Sequence, residues 1–254
     1  MKTARLVLSL LLLLSSLAYA APFDNCEEYI KYGIPGDAGD PLCRKGFALA
    51  HHSERKTAVW VAERLTRERV AGALLRSDDF VPDPDLAPGK RAEVSDYKDS
   101  NYDRGHMAPG ADMRWDMEAM RQSFYLSNIS PQVGPGMNRG IWKQLEEKVR
   151  TWASQRGELY VYTGPIYAPD EPLILIGPNQ VAAPTHFYKV IFDPVSVEAI
   201  AFIMPNSELR TEDMPHYIVT VSEVEKMTGL NFLGNINTVI RAIVKGQKAL
   251  ELWQ

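Results

Sequence analysis

The sequence lacks the short motifs of several large enzyme classes. Its 254 residues contain no Gly-x-Ser-x-Gly nucleophile turn, no His-Glu-x-x-His zinc pair, no Walker-type phosphate loop and no Gly-x-Gly-x-x-Gly dinucleotide signature. These absences exclude most serine hydrolases, zinc proteases and enzymes that use nucleotide cofactors. No internal repeat and no linker is visible either, so the sequence predicts one domain after residue 20.

An excess of positive charge is also absent. The chain has 28 basic and 32 acidic residues, a formal net charge of −4. Proteins that hold nucleic acid through bulk charge are usually basic. If this protein handles polyanions, it must therefore do so through a local basic patch and a metal ion.

Cysteine is scarce, with only Cys26 and Cys43. In an oxidising compartment the two are expected to form a disulfide that pins the N-terminal arm. An intermolecular bridge or two free thiols are the alternatives.

The first twenty residues have the three parts of a signal peptide. Lys2 and Arg5 are basic, Leu6 to Leu17 is almost wholly apolar, and Ala18-Tyr19-Ala20 fits a cleavage site. A retained membrane anchor is the alternative, but a span needs roughly 20 apolar residues and this run is shorter. We therefore predict a signal peptide over 1–20, a mature domain over 21–254 without membrane attachment, and export to the periplasm or the cell exterior.

Apolar periodicity predicts an α+β fold, with a central, mostly antiparallel sheet flanked by helices. The polar, proline-containing stretch 76–103 is expected to be a surface excursion. The predicted strands are Phe47–His52, Thr57–Arg64, Leu159–Thr163, Leu173–Ile176, Phe187–Phe192 and Ala199–Met204. The predicted helices are Asp116–Phe124, Asn138–Ser154, Val221–Met227 and Thr238–Leu252.

The segment Asp103-Arg104-Gly105-His106 concentrates chemistry in four residues. Hydrolysis of a phosphodiester needs a base for water and positive charge near the phosphoryl oxygens, and this segment supplies both. Arginine can bind a phosphate with two parallel hydrogen bonds. Gly105, between Arg104 and His106, is expected to act as a flexible hinge.

A second group of polar residues lies downstream. Asn138 suits either a helix N-cap or an oxygen ligand of a hard divalent cation such as Mg²⁺. Glu146 is two helical turns further on, too far for direct shared coordination, but within reach of a metal-bound water. Arg150 is placed to pair with Glu146 or with phosphate. A solvated Glu–Arg pair explains these last two residues equally well.

Several ordered motifs together resemble the DNA/RNA non-specific endonucleases, the ββα-metal nuclease group that includes endonuclease G, whose branch is the most similar. The resemblance runs from Lys31-Tyr32-Gly33 to about Gly229. It is carried by Arg76-Ser77-Asp78-Asp79-Phe80, Asp103-Arg104-Gly105-His106-Met107-Ala108-Pro109, Tyr125-Leu126-Ser127-Asn128-Ile129-Ser130-Pro131-Gln132, and Asn138 with Trp142, Leu145 and Glu146.

The resemblance implies a role for each matching residue. His106 is the general base, Asn138 the only direct protein ligand of one Mg²⁺, for which Mn²⁺ is a possible substitute, and Glu146 holds the water shell of that metal. The remaining catalytic matches are Arg76, Arg104, Arg150 and Asn128.

The implied function is sequence-independent hydrolysis of DNA and RNA to 5′-phosphate ends, with a homodimer as a possible assembly. A non-catalytic nucleic-acid-binding protein and a phosphodiesterase of small molecules are the rival interpretations.

Overall fold

The computed structural model describes residues 23–254, and a seven-stranded antiparallel sheet forms its centre. The strand order in this sheet is β1-β2-β3-β6-β9-β10-β11, and two short pairs, β4-β5 and β7-β8, lie outside it. The strands are β1 Asp40–Cys43, β2 Phe47–His52, β3 Thr57–Thr66, β4 Tyr102–His106, β5 Ile129–Val133, β6 Glu158–Ile166, β7 Ile174–Ile176, β8 Val181–Ala183, β9 His186–Asp193, β10 Glu198–Pro205 and β11 Ile218–Val219.

Helices cover both faces of the sheet. They are α1 Arg67–Val70, α2 Met117–Ser123, α3 Trp142–Arg156, α4 Val221–Thr228 and α5 Thr238–Gly246. The buried side of α3 packs on one face, and the buried side chains of α4 and α5 join the core of the other. The predicted α+β class with a mostly antiparallel sheet flanked by helices is thus confirmed.

Alternation along the strands separates two cores. In β3, Val61 and Leu65 belong to the core under α3, whereas Trp60 and Ala62 belong to the core on the opposite side. This follows from the period of two in a strand, which sends neighbouring side chains to opposite faces. We call the first the α3 face and the second the far face.

The predicted elements of the central sheet are present, within a few residues at each end. Five strands were not predicted. β1 lies in the expected irregular arm, β4 and β5 carry polar residues and proline, and β8 and β11 are only three and two residues long. The C-terminal helix stops at Gly246, earlier than expected. Gly157 ends α3 as predicted, with a φ of 95°.

The N-terminal arm is tied to the sheet by a covalent bond. Cys26 and Cys43 form the predicted disulfide, across a sequence separation of 17. The predicted signal peptide over 1–20 lies outside the described residues. Within 23–254, no helix is both long and apolar enough to cross a membrane.

Candidate active site

A cleft of about 300 Å³ lies between β4, the turn that follows it and the start of α3. It collects side chains that are up to 74 positions apart in sequence, from Arg76 to Arg150. Its lining residues are Arg76, Arg104, His106, Pro109, Gly110, Ala111, Asn138, Arg139, Lys143, Glu146 and Arg150. Every predicted site residue except Asn128 is therefore part of one cleft.

The β4-β5 pair presents His106 to this cleft. The register sets Gly105 opposite Ser130 and His106 opposite Ile129. A β-carbon on Gly105 would lie 2.2 Å from Oε1 of Gln132. Glycine is therefore required here for close packing against β5, and the expected hinge is not its role.

The imidazole of His106 is buried in an aromatic environment. Its ring centroid lies 4.8 Å from that of Phe124 and 5.4 Å from that of Phe80. Burial, followed by the positive charge of Arg76, lowers the pKa of His106 to about 3, against a smaller opposing effect of Asp78. The ring is therefore neutral at neutral pH, as a proton acceptor must be.

Asn128 lies behind the cleft and does not line it. It is fully buried, and its side chain accepts a hydrogen bond from the backbone N–H of Ala108 (2.9 Å) and donates to the carbonyl oxygens of Ala108 (2.8 Å) and Ser123 (2.9 Å). Its contacts fix the backbone directly after His106. The side chain holds this segment in place and does not face a substrate.

Asn138 lies in an irregular turn before α3 and does not cap a helix. The turn, Gly134–Ile141, is kinked, with a φ of 70° at Gly136, and the regular helix begins only at Trp142. Nδ2 of Asn138 donates to Oδ2 of Asp103 at 2.9 Å. This hydrogen bond occupies the amide nitrogen, so the amide oxygen is the end available to a cation.

Two residues of α3 extend the cleft toward the sheet. Burial raises the pKa of the Glu146 carboxyl to about 7, with Lys189 opposing this rise. Nη1 of Arg150, one turn further along, donates to Oδ1 of the buried Asp112 at 2.7 Å. The pairing predicted between Arg150 and Glu146 is therefore replaced by an ion pair with Asp112.

The two remaining arginines are held near aromatic rings. The guanidinium carbon of Arg104 lies 4.7 Å from the ring centroid of Phe80, and that of Arg76 lies 5.3 Å from the centroid of Phe124. Arg76 is also bound to Asp78, at 2.9 Å. Both guanidinium groups thus lie beside the rings that pack on the imidazole of His106, although the chain as a whole is acidic.

Sequence reasoning missed two cations of the cleft. Arg139 is 3.1 Å from Asp103, and Lys143 is 3.8 Å from Glu147, with side chains that are 65% and 60% exposed. Their position within five residues after Asn138 was the only signal available, and a charged residue near a helix start is usually a solvated one.

The donor set suits a hard cation that keeps most of its water. Among residues 23–254, no group of three or more His, Cys, Asp or Glu side chains is placed to hold a metal ion. Mg²⁺ does not require such a group, because it is often bound through one or two protein oxygens and several waters. The free amide oxygen of Asn138 and the carboxylate of Glu146 in the same cleft fit this mode.

Comparison with known proteins places this geometry in a family. The model of the DNA/RNA non-specific endonucleases matches residues 26–239. Mitochondrial endonuclease G of Bos taurus is 36% identical over 237 residues, which cover 87% of this chain and 79% of that protein. Nuclease C1 of Cunninghamella echinulata var. echinulata is 36% identical over 229 residues, covering 84% and 90%.

A solved structure shows the same fold. A chain in the crystal structure of the EndoG/EndoGI complex superposes with a TM-score of 0.78 at 35% identity, and the alignment covers 83% of this chain and 92% of that one. The predicted ββα arrangement and the resemblance to endonuclease G are thereby confirmed.

The predicted export to the periplasm or the cell exterior is wrong by the same comparison. The relatives from Bos taurus, Homo sapiens, Schizosaccharomyces pombe and Saccharomyces cerevisiae are all named as mitochondrial nucleases. Export was inferred from residues 1–20 alone, and the similarity resides in the folded domain.

The cleft, the sheet and the relatives all indicate the same enzyme class. A neutral histidine, several arginines and an asparagine oxygen meet in one place, on a fold shared with endonuclease G. The chain belongs to the DNA/RNA non-specific endonuclease family and is a hydrolase of that class.

Proposed function

We propose that this protein is a magnesium-dependent endonuclease that hydrolyses phosphodiester bonds of DNA and RNA without sequence preference and leaves 5′-phosphate ends. The observation that supports it most is the cleft, which is lined by the neutral imidazole of His106 together with Arg104 and Asn138. Mn²⁺ is expected to replace Mg²⁺.

His106 accepts the proton of the attacking water. Its surroundings keep it unprotonated, since aromatic burial and Arg76 both disfavour the imidazolium. The same burial makes it a weak base. Proton transfer is favoured once the negative charge of a bound phosphate lies nearby, because that charge stabilises the imidazolium that forms.

The arginines bind and orient the phosphate. Arg76, Arg104 and Arg150 line the cleft on different elements, so they can contact different oxygens of one phosphate. Asn138 would hold the metal ion through its amide oxygen, and Glu146 would hold its water shell. When bound, the ion supplies electrophilic stabilisation of the developing charge and of the departing 3′ oxygen.

Contact with the backbone of the substrate explains why both nucleic acids are expected to be cut. Phosphate contacts carry no sequence information, and the cleft is lined by phosphate-binding groups. Single and double strands are both expected substrates.

We further propose that residues 21–254 form one endonuclease domain and that two copies form a homodimer, as the family resemblance suggests.

The decisive experiment is a digest of plasmid DNA and of RNA with Mg²⁺, Mn²⁺, Ca²⁺ or EDTA. We expect cleavage of both substrates with Mg²⁺ and with Mn²⁺, none with EDTA, and products that are ligatable through their 5′-phosphates. Binding of plasmid without cleavage under every condition would instead indicate a non-catalytic nucleic-acid-binding protein. Preference for bis-nitrophenyl phosphate over plasmid would indicate a phosphodiesterase of small molecules.

A further inference from the structure

A buried carboxylate joins the two halves of the active site. The first half is the segment that follows His106, and Asp112 lies within it, in the short turn Gly110–Met113. The second half is the turn Gly134–Ile141 with Asn138, followed by α3, which carries Glu146 and Arg150. The ion pair between Asp112 and Arg150 is therefore a direct contact between the half with the base and the half with the metal-binding residues.

In this ion pair, Asp112 is more firmly fixed than Arg150. The side chain of Asp112 is 2% exposed and that of Arg150 is 20% exposed. The short turn that places Asp112 is itself closed by a hydrogen bond from its backbone N–H to the carbonyl of Pro109, at 3.0 Å. The carboxylate is the anchored partner, and the guanidinium is the partner that reaches the cleft.

Fixing the guanidinium matters for the reaction. A free arginine side chain samples many rotamers, and holding one of them costs conformational entropy. A buried, charge-assisted hydrogen bond of 2.7 Å restricts those rotamers before substrate arrives. Only the Nη1 bond is used by Asp112, so the other guanidinium N–H groups can donate to a phosphate.

We propose that Asp112 is a positioning residue of this nuclease, and that it acts by holding the guanidinium of Arg150 in the orientation that contacts the phosphate in the transition state. The proposal rests on the proposed function, because it assigns Asp112 a part in that same reaction.

The chain offers a closely matched control on the same helix. Arg156, in the last turn of α3, donates through Nη1 to Oδ2 of Asp193 at 2.9 Å, and their side chains are 22% and 1% exposed. This second pair has the same type of contact and similar side-chain exposure, and neither residue lines the cleft. It has further contacts, because Arg156 also pairs with Glu198 and Asp193 also accepts the backbone N–H groups of Val195 and Ser196. Loss of either pair is expected to cost stability, whereas only loss of the first should affect catalysis.

The test is a double-mutant cycle on Asp112 and Arg150, with Asp193→Ala as the control. Single-turnover rates of oligonucleotide cleavage are measured with enzyme in excess, so that slow variants remain measurable. Thermal unfolding is recorded for each variant. Asp112→Ala should lower the rate by about 10- to 100-fold, the range expected when a catalytic group is misplaced by about 1 Å. Asp193→Ala should lower the unfolding temperature and leave the rate near that of the wild type.

The cycle separates positioning from simple stabilisation. In the Arg150→Ala background, Asp112→Ala should cause no further loss of rate, because its effect passes through the missing guanidinium. Asp112→Asn keeps an oxygen acceptor and should recover part of the rate.

Equal losses in both backgrounds, or an equal loss of rate in Asp193→Ala, would overturn the proposal while leaving the proposed function intact. A wild-type protein that does not cleave would overturn both.

Discussion

Both faces of the central sheet bury apolar side chains, but the two faces differ in chemistry. On the far face, aromatic rings such as Tyr162 and Tyr188 pack on Phe232. On the α3 face, Glu63 and Lys189 interrupt an otherwise apolar surface, with exposures of 2% and 1%. Buried charges are costly, so the strands of the face that supports the catalytic helix bear this cost.

The charges of the α3 face act on one another across the sheet. Nζ of Lys189 donates to Oγ1 of Thr163 on the neighbouring strand, at 2.6 Å, and lies 5.1 Å from the ring centroid of Trp142 on α3. Burial lowers the pKa of Lys189, and the negative charges of Glu63 and Glu146 oppose this change. The α3 face thus supplies Glu146 with a nearby cation.

The largest effect should come from the histidine itself. His106→Ala removes the general base, a group that typically contributes about 10²- to 10⁴-fold to rate, and the fold should persist. Plasmid cleavage by the purified variant measures this. His216→Ala, whose side chain is 79% exposed, is the matched control and should cleave normally. Full activity of His106→Ala would refute the assignment of the base.

The second prediction compares how one substitution on each face of the sheet changes the free energy of unfolding. Lys189→Met removes the buried cation that acts on Glu63 and Glu146 and the donor to Oγ1 of Thr163, so it should lower the free energy of unfolding by roughly 1–3 kcal/mol. On the far face, the hydroxyl of Tyr162 is buried without a hydrogen-bond partner among the described residues. Tyr162→Phe should therefore be neutral or slightly stabilising. Urea unfolding of both variants gives the comparison.

A double variant sharpens this result. Glu63→Met combined with Lys189→Met should recover much of the stability that Lys189→Met loses, since an apolar pair of similar volume often replaces buried charges without cost. If Lys189→Met unfolds at the wild-type urea concentration, the charges of the α3 face do not stabilise one another.

The sequence predicted those features of the sheet and of α3 that depend on the periodicity of apolar residues. The short apolar runs Thr57–Arg64 and Phe187–Phe192 indicated strands of the sheet, and the spacing of Ile141, Leu145, Val149 and Trp152 indicated the buried side of α3. His106 and Asn138 were identified from their motifs. These features are local, so a single segment contains the whole signal.

Other features depend on contacts between distant segments. Lys189 lies in an otherwise apolar run, and its partner Thr163 is 26 positions away. Asp112 meets Arg150 across 38 positions. β4 was not predicted because Asp103 and Arg104 occupy strand positions for chemical reasons. Functional sites are where sequence rules of this kind are expected to fail.

Acidification should lower the free energy of unfolding through the protonation of His106. The pKa of His106 is lowered to about 3 from its ordinary value near 6.5. Between these values the unfolded chain binds a proton that the folded chain does not, so stability falls as the pH falls. The contribution of this one group has a slope of at most about 1.4 kcal/mol per pH unit.

Urea unfolding between pH 4 and pH 7 measures this slope. His106→Ala lacks the titrating group and should show a shallower loss of stability on acidification than the wild type. Parallel curves for the two proteins would mean that the imidazole is not kept neutral by the fold.

The smallest expected effect concerns the exposed cation at the mouth of the cleft. Lys143 lines the cleft with a side chain that is 60% exposed, and its ion pair with Glu147 is long, at 3.8 Å. Lys143→Ala should therefore leave stability almost unchanged. Affinity for an oligonucleotide in EDTA should weaken modestly and equally for all sequences, and the slope of log Kd against log salt should become shallower by about one.

Lys226, an exposed lysine on α4 at the far face, is the control for this measurement. Lys226→Ala removes the same charge from the chain but should leave the salt slope at its wild-type value, because α4 packs on the face opposite the cleft. An equal change in both variants would show that net charge alone governs binding. A change confined to Lys143→Ala would place the path of the nucleic acid along the start of α3, and the difference between the two faces would then extend from the core to the substrate.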